Sequence, residues 1–369
     1  MKIVHIVLGT ANPETMNGVN KVIYFLATHM LATGKDVEVW AISELSDFDF
    51  ERAFVLRHFT PQKSRFLLDT RLRQALRELP DDSIVHFHSV FIPEFYTISR
   101  YLRRRQIPWV LTPHSGYSQQ SWNQNSLTKK IYFPLFDQGL LRGAKAVHAL
   151  GSIEIAELKQ WNDRIIFIPN GQDPQPLYAR TGTPGDKAAP VFSFCGRLAI
   201  QQKGLDLILE GFARYQQAGG RGELWLIGDS DERAVLEDLA ASLGIADQVR
   251  FWGARFGDEK MNLLKSSDIF LHTSRWEGLP MSVLEAASIG LPLLLTHETN
   301  LGDYVTQYQA GVLLDANDAG HIAAALSHFE QLYEADRLAE IGQNGLRMIE
   351  QEFSWSIISQ RICTELYTA

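Results

Sequence analysis

Glu277 and Glu285 stand eight positions apart in RWEGLPMSVLEAASIGLPLLLT (275–296), on either side of a Gly-Leu-Pro turn. DIFLHTS ahead of them reads as a strand, RWEGL as a loop, and MSVLEAAS as a helix ended by Gly290. Pro280 suits the first helical position, where its missing N–H costs nothing. Glu277 then falls just before the helix start and Glu285 more than one turn inside. If all eight residues were helical they would span about 12 Å, comparable with a sugar-diphosphate-ribose. The unpaired N–H groups of a helix start favour an anion between the two acids. A surface helix with one capping and one solvated acid fits the same pattern, and the pair alone leaves both readings open.

A further cluster is CGRLAIQQKGLDLILEGF (195–212). Arg197 follows a strand, Lys203 comes six residues later, and Gly204 opens a helix with apolar spacing at Leu205, Ile208, Leu209 and Phe212. Two cations and a helix start at a strand end make an anion site, or else a solvated loop with two ordinary charges. Near the start, KIVHIVL leads through GTANPETMN to a helix opening at Gly18, whose backbone can approach a phosphate closely. No G-x-G-x-x-G occurs there, so a dinucleotide fingerprint is not supported, and Gly18 alone is a turn residue. His114 ends the strand WVLTPH and starts a polar loop whose Tyr117, Trp122, Gln124 and Asn125 are types that hold sugars.

Other patterns carry less. His86 and His88 alternate on IVHFHS with no third ligand nearby in sequence, which reads as one core histidine and one packing elsewhere. Asp47–Asp49 and Asp229–Asp231 are D-x-D strings, but the former lies in an acidic loop and the latter reads as helix-start acids. There is no G-x-S-x-G and no P-loop.

The elements that position these residues alternate. KIVHIVL (2–8), DVEVWAI (36–42), IVHFHSV (84–90), WVLTPH (109–114), KAVHAL (145–150) and RIIFIP (164–169) read as strands. Helical stretches such as GVNKVIYFLATHMLATG (18–34), closed by Gly34, lie between them. That order means a parallel sheet with helices on both faces. The alternation pauses in the Pro- and Gly-rich segment 171–189, then restarts with strands at 190–198, 223–229, 248–253, 268–274, 291–296 and 310–315. The expectation is an α/β protein of two doubly wound lobes, 1–170 and 190–352, with an amphipathic helix over 353–369 bracing the first. Ligands of such folds sit past the carboxyl ends of the strands, here in a cleft between lobes.

Composition agrees with a two-domain globular chain: 369 residues, 45% hydrophobic and 21% charged. The net charge of −8 argues against nucleic acid as a partner. Charge is uneven: residues 1–170 hold 20 Lys and Arg against 16 Asp and Glu, while the remainder holds 15 against 27. The basic runs PQKSRFLLDTRLRQALREL (61–79) and SRYLRRRQ (99–106) suit either an anionic membrane or ordinary helices with an Arg-rich outer face. Cys195 and Cys363 have no metal-ligand spacing, and Cys195 reads as a buried free thiol. No apolar window is long enough to span a membrane, and the N-terminus reads as a buried strand rather than a signal peptide. The expected location is the cytoplasm, peripheral to the membrane at most.

Taken together, FCGRL…QKG, VRFWG and SRWEGLPMSVLEAASIGLPLL resemble the C-terminal lobe of the retaining family 4 glycosyltransferases of GT-B fold, whose signature is the Glu-x7-Glu spacing. TMNGV, VLTPHSG, IPNGQD and FSW extend the resemblance along most of the chain. The resemblance implies that Glu277 binds donor-sugar hydroxyls and Glu285 the nucleotide ribose. Arg197 and Lys203 would neutralise the leaving diphosphate in place of a metal, so no metal or cofactor is expected. Gly18 would offer its backbone N–H to the phosphate, and His114 would stand at the donor sugar. Gly278, Leu279, Pro280, Met281 and Ser282 would line sugar and phosphate, Gly253–Arg255 would hold the base, and Tyr117 and Trp122 would meet the acceptor. Where the family often has two glycines before the first helix, this chain has Asn17-Gly18.

The implied activity is metal-independent transfer of a hexose, best glucose or a related sugar, from a UDP-sugar to a glycan or lipid-linked saccharide in polysaccharide synthesis. GDP is the less favoured carrier. The alternatives are a nucleotide-sugar epimerase of the same architecture and a non-catalytic two-lobed sugar-binding protein. The Arg-Lys pair and double Glu fit transfer better than either.

Overall fold

A computed structural model describes residues 1–13, 15, 18–44, 49–117, 122, 126–174 and 189–368. Asn17, Asp47, Gln124, Asn125 and most of the expected linker therefore lie outside the described residues. The chain divides into two compact units, Met1–Gly171 with Trp355–Ala369, and Gln172–Ser354.

The first unit is built on β1 (Lys2–Leu8), β2 (Asp36–Ile42), β3 (Val55–Phe59), β4 (Ser83–His88), β5 (Trp109–Thr112), β6 (Ala146–Ala149) and β7 (Ile165–Phe167). They form one parallel sheet in the order β3-β2-β1-β4-β5-β6-β7. The second unit holds β8 (Val191–Cys195), β9 (Glu223–Ile227), β10 (Val249–Gly253), β11 (Ile269–His272), β12 (Leu293–Leu295) and β13 (Gly311–Leu313), in the order β10-β9-β8-β11-β12-β13. Both sheets are doubly wound, as the alternating pattern requires. The winding reverses between β1 and β4 in one unit and between β8 and β11 in the other, the places where such sheets bind ligands.

Central strands are apolar on both faces because helices cover both. In the first unit Val4, Ile6, Val85 and Phe87 pack with Leu72, Leu76, Phe95 and Leu102 of helices Thr70–Glu78 and Pro93–Arg104. On the opposite face Ile3, Val7 and Ile84 pack with Val22, Ile23 and Leu26 of helix Gly18–Ala32 and with Trp355, Ile358 and Ile362 of the C-terminal segment. The second unit repeats the scheme with Phe192, Phe194 and Leu226 against Leu209, Phe212 and Phe329, and with Phe270 and Leu293 against Val283, Leu284 and Ile349.

Three local readings differ from expectation. The basic helix expected over 61–79 covers only Thr70–Glu78, started by Asp69, whose carboxylate accepts Arg71 N–H at 2.6 Å. Pro280 is extended (φ −73°, ψ 109°), and helix Met281–Ser288 starts one residue later. Strand β3 carried no clear signal, since VLRHF is an edge strand with Val55 55% exposed. Gly34 closes the first helix in the left-handed region (φ +77°), as expected, and Cys195 is a buried free thiol.

Candidate functional site

In the second unit the reversal between β8 and β11 gathers the chemistry. Helix Ile200–Lys203 follows β8 and stops at Gly204, which is left-handed (φ +66°), where a Cβ would stand 2.3 Å from the Thr273 carbonyl oxygen. Only glycine permits that approach, and it lays Lys203 beside the loop that follows β11. Arg275 locks the two loops together. Its guanidinium donates to both carboxylate oxygens of Asp206 at 2.8 and 2.6 Å, and its backbone N–H to Gln202 O at 2.8 Å.

Within this frame Lys203 Nζ forms an ion pair with Glu277, both side chains largely buried. His272 Nε2 and Ser274 Oγ stand 3.5 and 3.4 Å from the same carboxylate oxygen. Burial alone would raise the Glu277 pKa; the His272 hydrogen bond and the Lys203 charge outweigh it and hold the group at about 2. His272 is itself pushed below its ordinary value by burial, so it serves as a neutral donor. Asn300 Nδ2 donates to the carbonyls of Gly278 (2.7 Å) and Glu277 (3.2 Å), fixing the turn into the helix.

Glu285, on that helix, pairs with Lys260 Nζ at 2.6 Å. Met281 and Ser282, the first helical residues, are half-buried, as is Gly278, while Leu279 and Pro280 are buried. Arg197 is exposed and has no ion-pair partner among the described residues. Gly253 ends β10 at φ +70°, and Arg255 is exposed, 3.9 Å from Glu259. The second unit thus carries a free guanidinium, two lysines each held by a glutamate, and an open helix start, a set suited to a polyanion bearing hydroxyls.

In the first unit Gly18 is exposed at the head of its helix with open space around its Cα, and Asn20 ties that helix to the preceding loop by accepting Ala11 N–H at 3.2 Å. His114 and Ser115 are both left-handed (φ 50° and 60°), a strained pair for residues with side chains. Ser115 Oγ donates to Glu154 at 2.7 Å and pins the turn. Tyr117, expected at an acceptor loop, is instead buried, its hydroxyl donating to Asp137 Oδ2 at 2.9 Å. Trp122 packs edge-on to Phe91 and Phe133.

The two strand histidines do not part as expected. His86 and His88 are both buried and stacked with centroids 4.1 Å apart, and His5 of β1 joins them because β1 and β4 pair His5 with His86. Their ring nitrogens lie within 4.8 Å of one another, but both nitrogens of His86 are already engaged, by Thr112 and Tyr367. Partners such as Arg275–Asp206 and Lys260–Glu285 were invisible to local spacing, because each joins distant segments. Arg275 stood in the opening motif, two residues before Glu277.

Solved structures share this architecture. HepE of Anabaena in complex with UDP superposes with a TM-score of 0.74 at 18% identity, over 100% of both chains. Sucrose-phosphate synthase of Thermosynechococcus elongatus does so at 0.72, with 18% identity, over 100% of this chain and 98% of that one. The fold is therefore GT-B, two Rossmann-like units. Residues 16–176 match the model described as Glycosyltransferase Family 4, and residues 180–348 the model described as Glycosyl transferases group 1. The chain therefore carries a Glycosyltransferase Family 4 domain followed by a Glycosyl transferases group 1 domain.

Among curated relatives, the lipopolysaccharide core biosynthesis glycosyltransferase LpsE of Rhizobium meliloti is 33% identical over 46% of this chain and 47% of its own. The putative colanic acid biosynthesis glycosyltransferase WcaL of Escherichia coli K12 is 25% identical over 45% and 42%. The chain spans about half the length of the curated relatives it matches.

Proposed function

We propose that the protein is a retaining, metal-independent hexosyltransferase that moves a sugar, best glucose or a related hexose, from a UDP-sugar to a glycan or lipid-linked saccharide in cell-envelope or exopolysaccharide synthesis. The observation that carries the reading is the Lys203–Glu277 pair held between the β8 and β11 loops by the Arg275–Asp206 clamp. A diphosphate arriving at Arg197 and Lys203 draws the lysine from Glu277, whose carboxylate then accepts hydroxyls of the sugar. Glu285 exchanges Lys260 for the ribose in the same way. Gly18 and His114 of the first unit serve the phosphate and the sugar. Relatives named for lipopolysaccharide and colanic acid synthesis, and the UDP and glucose bound by HepE, support donor and pathway class.

With His272 and Lys203 beside it Glu277 is held as an anion, the form that accepts hydrogen bonds from sugar hydroxyls, and it is proposed as a binder rather than a base. In the proposed step the acceptor oxygen bonds to the anomeric carbon on the face from which the phosphate leaves. The carbon–phosphate oxygen bond breaks, and the acceptor proton passes to the departing diphosphate.

The test is a panel of UDP- and GDP-sugars with EDTA present, read by thermal shift and slow donor hydrolysis. A UDP-sugar should raise the melting temperature and be hydrolysed. Lys203→Ala and Glu277→Ala should lose roughly 100-fold or more in turnover with the fold intact. If no nucleotide or nucleotide sugar shifts the melting temperature, the transferase reading fails.

We further propose peripheral contact with an anionic membrane, through a patch that takes in only the start of the first basic run. Helix Thr70–Glu78 buries Leu72, Ala75 and Leu76, and Arg105 donates to the Leu76 and Arg77 carbonyls, so the later part of the first run and the end of the second pack within their own unit. By contrast Leu127, Ile131 and Leu135 are 56–72% exposed at four-residue spacing, and Leu67 is 63% exposed. Phe66 against Phe136 (4.6 Å) joins the two segments. Lys63 and Lys130 are exposed beside them, while Glu94 and Asp137 nearby are buried. An apolar surface edged by lysines fits anionic lipid.

A further inference from the structure

Five histidines of the first unit line one side of its sheet where the winding reverses: His5 on β1, His86 and His88 on β4, His148 on β6, and His114 just beyond β5. They form two hydrogen-bonded chains, and one of them has its proton positions settled by a single carbonyl. His148 Nε2 bonds the Ile168 carbonyl at 2.7 Å, and because a carbonyl only accepts, that nitrogen carries the hydrogen. Burial pushes His148 down to about 4, so the ring is neutral and its Nδ1 is bare. The Thr112 hydroxyl therefore donates to Nδ1 (2.8 Å) and accepts from His86 Nε2 (2.6 Å). His86 Nδ1 is bare in turn and accepts from the Tyr367 hydroxyl at 3.0 Å.

The other chain runs His5 Nδ1, His88 Nε2 at 2.9 Å, then His88 Nδ1 to His114 Nε2 at 3.2 Å. Burial lowers all three imidazoles, His5 and His114 to about 3, so each ring is neutral and each contact holds one hydrogen. Only two polarities exist. If the hydrogens point toward His5, its Nε2 becomes an N–H with no acceptor in a fully buried core. If they point toward His114, His5 Nε2 is a bare lone pair. His5 Nε2 is buried and has no hydrogen-bond partner among the described residues, and an orphaned N–H is the rarer and costlier of the two. The hydrogens therefore point toward His114. That ring receives at Nε2 and must carry its own hydrogen on Nδ1, which bonds to no described residue.

We propose that His5 and His88 are positioning residues that hold His114 as its Nδ1–H tautomer, giving the reaction a neutral hydrogen-bond donor aimed at a sugar oxygen. This rests on the transferase reading for what His114 meets, but the tautomer itself does not. The left-handed turn at His114 and Ser115, pinned through Glu154, holds the backbone while the histidine chain holds the ring. Donation without proton transfer suits an oxygen that must be oriented and must stay attached.

The test uses the full chain with 15N-labelled histidine and long-range 1H–15N correlation at neutral pH, His114 being assigned by its loss in His114→Ala. The expected spectrum shows His114 protonated at Nδ1 and bare at Nε2. His88→Asn keeps an amide N–H near the position of Nδ1, and should keep both tautomer and most of the turnover. His88→Leu removes that donor; it should mix the His114 tautomers and lower kcat roughly ten-fold with donor KM within about two-fold. His114 protonated at Nε2 in the wild type overturns the proposal, and so does equal loss in the Asn and Leu variants. If His88→Leu does not fold, the wild-type spectrum and His88→Asn still decide it. If the wild type turns over no nucleotide sugar, the transferase reading falls while the spectrum still judges the tautomer.

Discussion

Asp137 is a buried carboxyl with one oxygen satisfied and one not: Oδ2 accepts Phe91 N–H at 2.8 Å and the Tyr117 hydroxyl at 2.9 Å, while Oδ1 has no partner among the described residues. Burial pushes its pKa up to about 6 against an unfolded value near 4, so folding favours the protonated form. Its contribution to stability is complete below pH ~4 and is lost as pH rises through about 6, a change of order 3 kcal/mol. Asp137→Asn, permanently neutral and still able to accept, should flatten the fall in melting temperature of the first unit between about pH 4 and 6.5. An unchanged slope would remove Asp137 as its source. At this scale the sequence was half legible. Arg197, Lys203, Glu277 and His114 stood out because each type follows a strand, which is where open sheets hold ligands. Tyr117 misled because a polar loop also supplies core residues. His5 and Asp206 gave no signal, since their partners lie 83 and 69 positions away and only pairing of strands or loops brings them together.

Among the elements, helix Ser126–Tyr132 and the π-turn Phe133–Asp137 after it present a face that has no covering partner among the described residues: Leu127, Ile131 and Leu135 out, Phe133 and Asp137 in. Replacing the three exposed residues by Ser should abolish co-sedimentation with phosphatidylglycerol vesicles. Lys63→Glu with Lys130→Glu should weaken it by about 1 kcal/mol per lysine removed, and more at low salt. Binding to neutral phosphatidylcholine vesicles at equal strength, or triple-Ser protein that still sediments, would count against a lipid surface. The basic runs drew attention in the sequence because charge is visible there, whereas an exposed apolar stripe resembles any core helix until its burial is known. Strand β3 was missed for the converse reason, a half-exposed edge whose Arg57 and His58 hide a pairing with β2. The longer alternating strands were legible because a parallel sheet covered on both faces demands continuous apolar runs.

Over the whole molecule, the chain leaves the first unit at Gly171 and returns to it at Trp355. The returning segment buries Trp355, Ile358, Ile362, Leu366 and Tyr367 against β1, β4 and helix Gly18–Ala32, with Lys145 Nζ bonded to the Tyr367 carbonyl at 2.8 Å. At roughly 1.5–3 kcal/mol for each large apolar side chain buried, its loss would rival the 5–15 kcal/mol by which a domain is ordinarily stable. Ending the chain at Ser354 should therefore remove the first unit's calorimetric transition while leaving that of the second. A truncated protein with both transitions unmoved would show that the segment is dispensable.

That return has a consequence for how the protein is made. The second unit is contiguous in sequence and can close as soon as its last residue leaves the ribosome. The first unit, though translated earlier, stays incomplete while residues 172–354 are synthesised, on the order of ten to forty seconds at ordinary elongation rates. During that interval the row of buried histidines lacks Tyr367, the hydroxyl that ends its first chain. The nascent first half thus carries an unfinished core until residues 355–369 dock on it.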